Sequence, residues 1–136
     1  MKDEKDKSDR VEYLRREKQK QEGRKNRYLQ QLEEIKKHLE FNEGEIAYNE
    51  RWINFHKNSI ENHKKAIVKS SNLNLKTDQE KKLNFHEEQI EKHHKKYIEY
   101  HKKEVELVKK EIQLFEEGIK RCEEQLEFLD EKIKEN

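Results

Sequence analysis

The chain has no proline, three glycines, one cysteine and a formal charge of only +1. Each shortage excludes something. Without proline no helix is forced to kink or stop, and a single cysteine rules out the intrachain disulfides that staple small loop-rich folds. A charge so near zero supplies no global field toward nucleic acid or anionic lipid, so binding of that kind must come from local patches. No apolar run approaches the roughly 20 residues that cross a bilayer. The start, Met1-Lys2-Asp3-Glu4-Lys5-Asp6-Lys7, also lacks the apolar core of a signal peptide, so the sequence reads as a cytoplasmic protein with no membrane partner. Glycine loops that cradle phosphate and nucleophile motifs are missing too, so the chain reads as a non-enzyme with no catalytic residue and no cofactor.

What the chain does have is charge. Of its 136 residues 46% are charged and only 29% are hydrophobic, which fits either a disordered polyampholyte or an elongated helix with a narrow apolar seam. Periodicity decides for the helix. Leu32, Leu39, Ile46, Ile53, Ile60 and Ile67 recur every seven residues at the a position of a heptad, and Ile35, Asn42, Asn49, His56 and His63 fill the d positions. A second run keeps the 3-4 spacing through Ile98, His101, Val105, Val108, Ile112, Phe115, Ile119, Cys122, Leu126, Leu129 and Ile133. Cys122 falls at a d position, where a small buried hydrophobe is the ordinary reading.

These runs predict a single all-α domain, a long antiparallel two-helix coiled-coil hairpin. Residues 1–8 read as a disordered or frayed start, 9–69 as helix 1, 70–77 as the turn and 78–135 as helix 2. The turn follows from Ser70-Ser71-Asn72-Leu73-Asn74-Leu75-Lys76, which breaks the periodicity with side chains that compete for backbone hydrogen bonds. Thr77-Asp78-Gln79-Glu80 then matches a capping box. Gly23 and Gly44 fall at outward f positions.

Antiparallel partners must have numbers with a nearly constant total, and the sequence suggests 149 or 150. His63 then meets His86, His56 meets His93, Ile53 meets Tyr97, Ile35 meets Phe115 and Tyr28 meets Cys122. Charge agrees at the other end. Arg10 to Arg27 holds eight basic and three acidic residues, and Glu116 to Glu135 holds eight acidic and four basic. One irregularity stands out: the spacing Ile90, His93, Tyr97, His101, Val105 contains consecutive steps of four from His93 onward, a stutter that unwinds a supercoil locally and turns the seam outward near 97–101.

Phe41, Tyr48, Trp52 and Phe55 occupy c and g positions beside the d edge, and Tyr100, Leu107, Leu114 and Phe128 are their counterparts on helix 2, with Tyr97 joining the predicted contact. A two-helix seam needs only a and d. The surplus predicts an interface, with two hairpins forming a homodimeric four-helix bundle and protein partners of unknown identity. The polar core layer is Asn42, Asn49, His56, His63, His86 and His93, whose unpaired amides and rings would penalise wrong pairings.

Three functions compete. The first is a structural or adaptor coiled coil that mediates self-association and assembly. The second is a divalent-metal-binding bundle using His56, His63, His86 and His93, which needs dimerisation because histidines seven apart on one helix cannot share an ion. The third is a nucleic-acid accessory protein using Arg10 to Arg27 or the tip lysines Lys64, Lys65, Lys69, Lys76, Lys81 and Lys82.

Overall fold

The computed structural model describes residues 2–136, which form an all-α helical hairpin with no strand among them. α1 spans Lys2–Lys69, α2 spans Leu73–Gln89, a π-helical turn covers Ile90–His94 and α3 spans Lys95–Glu135. The last three run on without a break as one second helix. Nothing in the sequence interrupts either helix, and pairs four apart such as Glu12 with Arg16, Glu88 with Lys92 and Glu91 with Lys95 brace the outer surface. Such pairs contribute only a few tenths of a kcal/mol each. Burial of the apolar seam must supply the rest.

α1 is already helical at Lys2, ahead of the Asp9 start read from the sequence, and Met1 lies outside the described residues. Asp3 and Glu4 sit in the first turn, where carboxylates favour the positive end of the helix dipole. Alternating charge therefore extends the helix here instead of fraying it.

The turn is shorter than its composition suggests, since only Ser70, Ser71 and Asn72 leave the helices. Asn72 adopts an extended backbone, and its side-chain oxygen accepts from the amides of Asn74 at 2.9 Å and Leu75 at 3.4 Å. That is an N-cap, and it starts α2 at Leu73 rather than at Asp78. Thr77 is accordingly no cap: it lies inside α2, where its hydroxyl donates to the Leu73 carbonyl at 3.0 Å.

Contacts divide the hairpin into two units, Leu39–Leu107 and the chain up to His38 together with Val108–Asn136. Within Leu39–Leu107 the facing partners are His63 with Gln79 and His56 with His86, both totalling 142, then Asn49 with His94 and Asn42 with His101, both totalling 143. This corrects the register by one heptad. The total must equal twice the number at the centre of the turn, and Ser71 is that centre, which gives 142. Beyond the π turn the total rises by one because that turn holds one residue more than an α-helix would.

The π turn also resolves the stutter. Buried or half-buried positions run His86, Ile90, His94, Ile98, His101, Val105 and Val108, so the seam continues straight instead of rotating outward. His93 and Tyr97 are thereby exposed, not layered in the seam.

In the other unit, Leu32, Val108, Cys122 and Leu129 are buried. Tyr28 packs on Phe115 with ring centroids 5.9 Å apart and lies over Gly118, where an added Cβ would come within 3.1 Å of the ring. Lys18 pairs with Asp130 at 2.9 Å and Lys25 with Glu123 at 3.3 Å, so opposite charges do meet across these helices.

Candidate functional site: a histidine ladder beneath an aromatic face

α1 contributes one polar side chain to the seam of Leu39–Leu107 at each heptad, namely Asn42, Asn49, His56 and His63. The first three are buried to 7%, 5% and 6% exposure. A polar group so enclosed is costly unless it finds a partner, and each does. The Asn42 side-chain oxygen faces His101 Nδ1 at 2.7 Å, and the Asn49 oxygen faces His94 Nδ1 at 2.9 Å. Asn49 Nδ2 donates to the Glu45 carbonyl at 2.8 Å, which fixes its oxygen as the atom turned toward His94. His63 Nδ1 faces the Gln79 oxygen at 2.5 Å. An amide oxygen only accepts, so His63, His94 and His101 each carry a proton on Nδ1.

His56 differs. Its Nδ1 lies 2.6 Å from Nδ1 of His86, so this bond exists only when one ring supplies the proton and the other a lone pair. The rings continue as a ladder: His63 stacks on His86 at 5.4 Å, His86 lies 4.9 Å from His56, and His56 lies 5.2 Å from His94. Burial disfavours the cation of His56, and the nearby charges of His86 and His94 lower its proton affinity further. Burial acts likewise on His86, reinforced by His63, and on His94, reinforced by His93.

Aromatic side chains sit on this ladder from outside. Trp52 stacks on His94 with ring planes 5° apart and also touches His56 at 5.8 Å. Phe55 meets His56 at 5.5 Å and His86 at 6.3 Å, while Phe41 and Tyr100 both meet His101 edge-on. Their outer surfaces remain open: Phe41 is 61% exposed, Tyr48 49%, Trp52 38%, Phe55 52%, Tyr97 55%, Tyr100 58% and Leu107 54%. Leu114, 63% exposed, belongs to the other unit and lies outside this face.

Of the residues singled out from sequence, Asn42, Asn49, His56, His63 and His86 come together in one seam, and His93 does not. His94 takes its place, and Gln79 completes the row. The repeated steps of four were the available signal for His94, because one surplus residue shifts the inward position from 93 to 94. Gln79 carried no signal apart from the position of the turn. Among the described residues no three His, Cys, Asp or Glu side chains are placed to hold one metal ion. The donor set His56, His63, His86 and His93 therefore has no common centre in one chain. No helix of the described residues is long and apolar enough to cross a membrane. The chain matches no protein-family model, no curated protein and no solved structure.

Proposed function

We propose that the chain is a structural or adaptor coiled coil that works by self-association, two copies burying the aromatic face of Leu39–Leu107 against each other. The observation that carries this reading is the absence of charge from the centre of that face, between Glu45 and Asn62 on α1 and between Phe85 and Glu104 on the second helix, in a chain that is 46% charged. Reversing one helix brings the g and c edges of both helices to the same side of the seam. Between Tyr48 and Asn62 on α1 those positions hold Tyr48, Trp52, Phe55, Ser59 and Asn62. Between Phe85 and Tyr100 they hold Phe85, Gln89, His93, Tyr97 and Tyr100. None is Lys, Arg, Asp or Glu.

A neutral face meets its own copy without like-charge repulsion, which favours a second chain over a charged partner. Size agrees. Aromatic side chains bury about 150–250 Å² each. The open halves of Phe41, Tyr48, Trp52, Phe55, Phe85, Tyr97, Tyr100 and Leu107 thus add up to roughly 800 Å² per copy, the scale of a standard stable interface. The basic stretch 10–27 offers a weaker case for nucleic acid, because Lys18 and Lys25 already face Asp130 and Glu123.

The test is the pair Trp52→Ser and Phe55→Ser. Both side chains are on the open face, so helicity should persist. The mass by light scattering should fall from that of two chains to the 16.9 kDa of one. A wild-type protein that is already monomeric, or a double variant that keeps the dimer mass, refutes the reading.

A further inference from the structure

We infer that the His56–His86 pair is a proton-operated latch on the self-association proposed above: when both rings are protonated the seam parts beneath Trp52 and Phe55, and the two copies separate. The inference rests on that reading of the aromatic face and adds its regulation.

The chemistry is local to this pair. At 2.6 Å, Nδ1 to Nδ1, the neutral pair holds one ring as the Nδ1–H tautomer and the other as Nε2–H, with a free Nδ1 lone pair that accepts. One further proton binds at Nε2 of the donor ring and leaves the bond intact. A second must take the accepting lone pair, which sets two N–H groups head to head between cations whose ring centres are 4.9 Å apart. His63, His94 and His101 behave otherwise. Each donates Nδ1–H to an amide oxygen, a bond that survives protonation of Nε2.

The groups around the pair do not offset the second charge. From α1 come His63, stacked on His86, and the rings of Trp52 and Phe55; from the π turn comes His94, beside His56, with His93 next to it in sequence. Among the described residues no carboxylate forms an ion pair with any of these histidines; the acidic neighbours Glu61, Glu88 and Glu91 pair instead with Lys64, Lys92 and Lys95. Glu87, beside His86 in sequence, is exposed. His56 and His86 both hold protons less readily than a free imidazole, through burial first and neighbouring histidine charge second. The unfolded chain takes up these protons near about pH 6.5. Stability from the pair is therefore complete above that value and is lost as the pH falls below it toward the depressed values of the folded seam.

The aromatic face transmits this opening because its central residues rest on the rings of the pair. Trp52 rests on His56 and His94, and Phe55 rests on His56 and His86. Moving the pair apart removes both rings beneath Phe55 and one of the two beneath Trp52.

His86→Asn tests the latch, since an asparagine facing His56 recreates the Asn–His pairs already present at Asn42 with His101 and Asn49 with His94. Sedimentation at about pH 8 and about pH 5.5, which bracket imidazole titration, should show wild type as a dimer at the first and weakened roughly tenfold or more at the second. H86N should be a dimer at both. His56→Asn, the reciprocal exchange, provides a second variant should the first fail to fold. Wild type monomeric at pH 8 overturns the association itself. A dimer that survives acid, or one that acid dissolves equally in H86N and H56N, overturns the latch alone.

Discussion

Glycine shows how far a single residue's environment decides its effect. All three glycines lie within helices, where each forgoes about 1 kcal/mol relative to alanine. A Cβ at Gly23 or Gly44 would meet nothing within 4 Å, whereas at Gly118 it would press on the Tyr28 ring at 3.1 Å. Gly44→Ala should therefore stabilise by about 0.5–1 kcal/mol in chemical denaturation. Gly118→Ala should gain less than that or lose stability, because Tyr28 must move off a ring contact with Phe115. Equal gains at the two sites would show that Tyr28 does not need the space. Spacing alone marks Gly23 and Gly44 as outward. It gives no hint that Gly118 makes room for a tyrosine, since that contact depends on which residues face each other across the helices. Asn42, Asn49 and His56 are the opposite case: a strict period of seven on one unbroken helix suffices to set them on a common edge, and all three are buried.

At the scale of elements, the second helix carries its surplus residue in a five-residue π turn, Ile90–His94. Sequence alone showed that something had to give there, through the successive steps of four, and pointed to a seam that rotates outward. The helix instead widens locally and keeps the seam facing α1. Widening prevails because rotation would expose Ile98, His101 and Val105, all of which are buried, and would leave Asn42 and Asn49 without their histidines. Deleting Lys92, which is exposed, should convert the turn to α-helix and leave an unbroken 4-3 alternation from His86 through Val108. Thermal stability should be retained or raised. Deleting Lys103 instead, between His101 and Val105, should lower the melting temperature clearly, because there the alternation is already regular. If the two deletions cost the same, the π turn is not where the extra residue is absorbed.

For the molecule as a whole, the pattern that makes the hairpin legible also hides its register. A slip of one heptad carries every a position onto another a and every d onto another d, so the apolar match is as good at a total of 150 as at 143. The choice falls to the turn. Asn72 closes it within Ser70–Asn72, and the centre at Ser71 then fixes every pairing in Leu39–Leu107. The polar residues reinforce that choice, because each amide oxygen meets a ring nitrogen in the observed register. Two cysteine pairs separate the alternatives, each built with Cys122→Ser so that no other thiol remains. Asn49→Cys with His94→Cys should be joined within one chain by a short thiol crosslinker. Asn49→Cys with His101→Cys, the pairing demanded by a total of 150, should not, since one heptad of helix places those residues about 10 Å further apart along the axis. Mass spectrometry of the crosslinked monomer reads the result directly. Efficient joining of the second pair, with the first unreacted, would return the hairpin to the longer turn and would dissolve the His56–His86 contact on which the acid response depends.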